Sequence, residues 1–185
     1  VDTPHSVAMV RTLLEDLQIL GMTALDQDFR NTQAGTLMQP ENIHATAILI
    51  GERGVLVSGA SGSGKTTLAL ALIDHCHPRG LFSRLVGDDQ LFVMAHAGRL
   101  VCRAPAAIEG LVEVPGRGPR PVPFEAGAVI DLHVRLLPAG EVARFQEDAD
   151  DTIAGCLVPR IDVAERNIAA ALPAVMAHLS IAPFL

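Results

Sequence analysis

The stretch Gly-Ala-Ser-Gly-Ser-Gly-Lys-Thr at 59–66 limits the possible folds of this chain more than any other feature. An apolar run, VLVSG, leads into it, and a run of good helix formers, TTLALALIDHC, follows from Thr66 to about Cys76. Strand, glycine-rich turn and helix in that order form a P-loop. Gly62 and Gly64 let the backbone curl so that successive N–H groups point inward at an anion. The helix adds its free N–H groups and the positive end of its dipole. Lys65 can reach the β- and γ-phosphates, and the Thr66 hydroxyl can ligate magnesium. ATP with Mg²⁺ is therefore the expected ligand. Gly59, Ala60, Ser61, Gly62, Ser63, Gly64, Lys65, Thr66 and Thr67 are the expected contacts.

Around this motif the pattern is α/β. The chain has 185 residues, 49% hydrophobic, with no Trp or Tyr and six Phe, so one domain must build its core from Ala, Leu, Val and Ile. Residues 1–40 read as a helical N-terminal arm: Thr3 and Pro4 open it, Val7, Val10, Leu14 and Leu17 keep helical period, and Gly21 stops it. Residues 41–185 read as the P-loop domain. Within it, TAILI at 46–50 and VLVSG at 55–59 form an antiparallel hairpin leading into the P-loop. With Glu52 and Arg53 as turn residues, Ile50 faces Val55, Ile48 faces Val57, Thr46 faces Gly59, and His44 comes beside Ser61.

Further on, a short strand at 81–86 ends in Asp88 and Asp89, and LFVMAH and RLVCRA make a second hairpin around Ala97-Gly98. A short strand at 111–114 precedes PGRGPRPVPFEAG, which reads as a loop. Residues 129–136 alternate, with Ile130, Leu132, Val134 and Leu136 on one face. Asp162 and Glu165 have the form of a capping box for a helix to about Leu179, which Pro173 should kink or divide.

The net charge of -7, from 14 basic and 21 acidic residues, argues against a nucleic-acid partner, which asks for a basic face. Cys76, Cys102 and Cys156 have no ligand-like spacing and read as buried thiols of a reducing compartment. No run approaches the roughly 20 apolar residues of a membrane helix. The expectation is a soluble cytoplasmic chain with no membrane partner.

A P-loop does not name a reaction, so the remaining polar residues must. Asp88 and Asp89 stand at a strand end on the rim of the P-loop, where one can serve a metal and the other an attacking oxygen. Glu113, before Pro115-Gly116, is a second candidate metal carboxylate, giving Thr66, Asp88 and Glu113 as the metal set. His44 gains interest only from the hairpin count, which brings it beside the phosphate loop, where it can stabilise charge or orient a catalytic Asp.

His44, GASGSGKT, LVGDD and EVPGRG in this order resemble the catalytic domain of HPr kinase/phosphorylase, in its short alphaproteobacterial form lacking the usual N-terminal domain. The resemblance covers about 42–179. It implies a PEP-carboxykinase-like P-loop fold with a mixed sheet and flanking helices. It also implies transfer of the ATP γ-phosphate to a serine of the phosphocarrier protein HPr, phosphorolysis of phosphoserine-HPr, and homo-oligomers that are hexamers in full-length members. By the same resemblance His44, Lys65, Asp89 and Arg144 are catalytic, Asp89 as the base for the serine hydroxyl, and Arg166 matches an Arg-Asn element linked with dephosphorylation. Thr67 stands where that family has Glu, Ala45 where it has Gly, and Pro115 where it has Arg. A kinase for a small molecule or another protein, and a non-catalytic ATP-binding sensor or assembly domain, are the alternatives.

Overall fold

The structure, a computed structural model, describes residues 40–114 and 116–184. The expected helical arm lies outside them except for its last residue, Pro40. The strands are β1 (Glu41–Ile43), β2 (Ala45–Ile50), β3 (Arg53–Gly59), β4 (Ser83–Gly87), β5 (Leu91–His96), β6 (Arg99–Arg103), β7 (Leu111–Val114), β8 (Gly118–Pro121), β9 (Ala128–Leu137), β10 (Ala149–Ile153) and β11 (Cys156–Ala164). Among the described residues two α-helices accompany them, α1 (Lys65–Cys76) and α2 (Ile168–His178).

The main sheet is mixed and runs β1-β5-β6-β9-β3-β2-β4, with β11 also on β9 and β10 on β11. β9 makes the sheet curl. Its first residues pair antiparallel with β6, and its C-terminal half lies parallel to both β3 and β11. One face packs under the helices: Leu68, Ala69, Leu72 and Cys76 of α1 and Ala171, Val175 and Met176 of α2 meet Ile48, Ile50, Val55, Val57, Leu85, Leu132, Val134 and Leu136. The other face is closed by the strands themselves, with Leu49, Leu56, Val86, Leu91, Val93, Leu100 and Val158 forming a second cluster. All three cysteines are free and buried, as expected from their spacing. No helix among the described residues is long and apolar enough to cross a membrane.

The antiparallel hairpin β2–β3 is present, but its register differs by two residues from expectation: Ile50 faces Arg53, Ile48 faces Val55 and Thr46 faces Val57. The turn is Gly51-Glu52, and Gly51 supplies the positive φ, +57°, that the first central position of a two-residue hairpin requires. A shift of two keeps every side chain on its own face. Within β9, a register irregularity between Gly54 and Val55 of the neighbouring strand sends Ile130 to the second cluster, while Leu132, Val134 and Leu136 stay in the first. The expected common face thus breaks at Asp131, whose carboxylate accepts the Gly54 N–H.

Other expectations also change. Part of the 115–127 loop is strand, since β8 pairs with β7 as a small separate hairpin. Asp162 does not cap a helix: it lies in β11, opposite Arg135, whose guanidinium bonds both its carboxylate oxygens. The cap of α2 is Asn167, whose side-chain oxygen accepts the Ala170 N–H. Pro173 lies inside α2, which runs undivided from Ile168 to His178.

Candidate functional site

β2 lies between β3 and β4 and is antiparallel to both, so β3 and β4 point the same way and their ends, Gly59 and Gly87, share one rim. The 59–66 loop leaves that rim from β3 and enters α1. Gly59 allows the tight exit: a methyl group there would sit 2.8 Å from Ser63 Oγ and 2.9 Å from Leu136 Cβ, contacts that real side chains do not make. Ser63 is buried, and its hydroxyl has no partner among the described residues. Ala60, Ser61, Gly62 and Thr67 are exposed around the mouth of the loop. The first-turn N–H groups of α1 have no intrahelical acceptor, as at any helix start.

Lys65 is nearly buried, and its ammonium donates to the Gly59 and Ala60 carbonyls at 3.0 and 3.1 Å. Burial lowers its pKa, against the pull of Asp88 and Asp89. Asp88 follows β4 and is 5% exposed. It accepts the Thr66 hydroxyl at 2.8 and 3.0 Å, the Thr46 hydroxyl at 2.6 Å, and the Glu113 backbone N–H at 3.4 Å.

Asp89 occupies the tight turn from β4 to β5, closed by Gln90 N–H to Asp88 carbonyl, and takes φ +70°, a conformation Asp tolerates better than most residues. Its side chain is exposed. β1 pairs with β5 through Ile43↔Leu91, and β2 pairs with β3 through Ala45↔Ser58. His44, between those two pairs, is thereby set against Asp89. Its Nδ1 lies 2.8 Å from the Asp89 carbonyl oxygen and 3.1 Å from Oδ1. Because a carbonyl can only accept, Nδ1 carries the proton.

Lys65, Thr66, Asp88, Asp89 and His44 therefore come together. Glu113 joins them through its backbone N–H, its side chain being exposed. Arg144 does not join them by any contact in the structure: it is exposed and stacks on Phe145 at 5.6 Å. Two residues enter that sequence spacing could not place. Arg166 donates from Nε to the Gly62 carbonyl and from its backbone N–H to the Ser63 carbonyl, each at 3.0 Å, binding the loop to the chain ahead of α2. Thr46, the one hydroxyl in the apolar strand β2, bonds Asp88. Its signal was that single polar position.

The fold and site define an α/β domain with a mixed, curled sheet and a strand–loop–helix site at its rim. Residues 35–122 match the family described as the HPr serine kinase C-terminal domain. The chain is 31% identical over 114 residues to the HPr kinase/phosphorylase of Clostridium beijerinckii, covering 62% of this chain and 34% of that protein. Against the enzyme of the same name from Lactiplantibacillus plantarum it is 37% identical over 114 residues, covering 57% and 34%. It thus spans about a third of the length of these relatives. The structure of the HPr(Ser) kinase/phosphatase from Coxiella burnetii matches in fold, with TM-score 0.63 and 23% identity over 75% of this chain and 93% of that one.

Proposed function

We propose that this chain is an ATP-dependent protein serine kinase that phosphorylates the phosphocarrier protein HPr, with phosphorolysis of phosphoserine-HPr as the reverse activity. The observation that carries the reading is the convergence on one rim of an anion-cradling loop, a nearly buried carboxylate, and a His–Asp pair. The match to the HPr serine kinase C-terminal domain and the names of the relatives support HPr as the acceptor. The 59–66 loop is then a P-loop within a PEP-carboxykinase-like fold, and residues 41–185 are the catalytic domain, with 1–40 an arm. Assembly as a homo-oligomer, hexameric by the same resemblance, and a cytoplasmic setting complete the proposal.

Among the described residues no three His, Cys, Asp or Glu side chains gather as a metal cage. Mg²⁺ does not ask for one, since it uses one or two protein oxygens beside substrate phosphates and water. The Thr66 hydroxyl and Asp88 carboxylate are such hard oxygens, already 2.8 Å apart, and Glu113 is the outer carboxylate. Bound there, the ion would offset charge on the phosphates.

The chain's own residues do the rest. Lys65 and the loop N–H groups hold the phosphates and stabilise charge on the transferring group. Asp89, exposed and aimed from a strained turn, takes the proton of the acceptor serine as its oxygen attacks. In reverse it returns that proton. His44 orients Asp89 through its Nδ1–H. Arg166 keeps the loop closed on its own carbonyls, and Arg144 is available from the exposed segment 138–148 to reach a docked partner.

The test is incubation with Mg·ATP and purified HPr, followed by mass mapping. A single phosphoserine on HPr is expected. ATP consumption without modified HPr would replace HPr by a small molecule or another protein, a reading favoured by Pro115 standing where the family has an arginine. Tight ATP binding with no transfer to any hydroxyl would leave a nucleotide sensor.

A further inference from the structure

We propose that Thr46 is a positioning residue: it holds Asp88 so that only one carboxylate oxygen is free for a cation, favouring a small, water-retaining ion such as Mg²⁺ over a larger one such as Ca²⁺. The inference rests on the metal reading above and adds a specificity device to it.

β2 reads ATAILI and is buried along its whole length, with Thr46 0% exposed. Valine would fill the same space, and a buried hydroxyl is unfavourable unless it is hydrogen-bonded. The Thr46 hydroxyl meets that need by donating to Asp88 Oδ1 at 2.6 Å. The same oxygen lies 2.8 Å from the Thr66 hydroxyl. Oδ1 thus has a donor for each of its two lone pairs. Oδ2 is less engaged, with the shared Thr66 hydroxyl at 3.0 Å and the Glu113 N–H at 3.4 Å.

A carboxylate held in this way offers one oxygen. Ca²⁺ gains from chelation by both oxygens of a carboxylate and from flexible, crowded coordination. Mg²⁺ demands a near-octahedral shell, keeps several waters and needs one carboxylate oxygen, directly or through water. Thr46 lies on β2 while Thr66 lies on α1, so the carboxylate is gripped from two elements and cannot rotate to offer both oxygens without losing a bond.

Thr46→Val removes the donor and keeps the volume. ATP binding is titrated calorimetrically in EDTA, in Mg²⁺ and in Ca²⁺ for wild type, Thr46→Val and Thr46→Ser. Affinity in EDTA should be equal in all three. In Thr46→Val the gain that Mg²⁺ brings to ATP affinity should fall about tenfold, the order expected for losing a hydrogen bond to a charged group. The gain from Ca²⁺ should fall less, so the preference narrows, and Thr46→Ser should restore it. An unchanged Mg²⁺ to Ca²⁺ preference in a Thr46→Val protein that melts like wild type overturns the inference alone. So does a Thr46→Ser protein that shares the defect, since that assigns Thr46 to packing. If Thr46→Val does not fold, Thr46→Cys, similar in volume and a weak donor, is read in its place. A wild type whose ATP affinity ignores both cations overturns the metal reading itself and this inference with it.

Discussion

At Lys65 two influences oppose each other. Burial disfavours the charged ammonium, while Asp88 and Asp89 favour it, and two loop carbonyls already hold it at 3.0 and 3.1 Å. Removing it should leave the loop's glycines in place but take away the cation of the 59–66 segment, so Lys65→Ala should weaken ATP binding roughly 100-fold, the scale of a charged hydrogen bond in a shielded site. Equilibrium binding of ATP checks this, and near-normal affinity would contradict the assignment. Asp89 predicts the opposite split. Among the described residues it makes no hydrogen bond to the loop or to Thr66, so Asp89→Asn should largely keep ATP affinity while phosphoryl transfer falls roughly 10²- to 10⁴-fold, the range for losing a general base. Single-turnover transfer to HPr beside a binding titration separates the two. Much of this site was legible. The Asp pair and the loop were each contiguous in sequence, whereas the hairpin count put His44 beside Ser61 and the structure sets its Nδ1 against Asp89. Arg166 was not legible as a loop contact, since its bond to Gly62 spans 104 residues and no local pattern encodes it.

At the scale of elements, the C-terminal third shows where local pattern loses to tertiary pairing. Asp162-Val-Ala-Glu165 has the spacing of a cap, yet β11 claims Asp162, because its backbone lies parallel to β9 and its carboxylate meets Arg135 at 2.7 and 2.9 Å. The helix waits five residues, until Asn167 caps Ala170. Asn167→Ala should therefore cost about 1 kcal/mol of stability. Glu165→Ala, whose side chain has no capping bond in the structure, should stay within about 0.5 kcal/mol. Chemical denaturation of the two variants measures both, and the reverse order would restore the capping box. β10 and β11 also had no clear signal: their half-buried Asp151, Arg160 and Asp162 are tolerated because partners on neighbouring strands neutralise them. Strands whose faces both showed an apolar pattern, β2 and β3, were legible from the residues alone.

Across the whole molecule, one polar network ties together the strands that the curl of the sheet brings side by side. Ser58 on β3 lies 2.7 Å from His133 Nε2, His133 Nδ1 lies 2.7 Å from Asp151 on β10, Arg160 on β11 donates to Asp151 at 2.9 Å, and Arg135 pairs with Asp162. Burial lowers the His133 pKa, although its bond to Asp151 pulls the other way. For Asp151 burial acts upward, but the bonds from Arg160 and His133 outweigh it and its pKa falls. The Arg135 bond lowers that of Asp162 against burial. The unfolded histidine takes up its proton near about pH 6.5, before the folded one does, so the folded state loses stability as pH drops below that value. The two carboxylates stabilise the fold above about pH 3.9 and give that up as pH falls through their lower folded values. Melting temperature should thus hold steady above neutrality, decline through the histidine range, and drop again in the acid range. His133→Gln, which can bond Ser58 or Asp151 without titrating, should be less stable at pH 7.5 but should lose the first decline and keep the second. A wild-type melting temperature that is flat from about pH 7 to 5 would mean that His133 takes its proton equally in both states. The network would then hold the strands together by shape and hydrogen bonding alone, with no proton linked to the closure of the sheet.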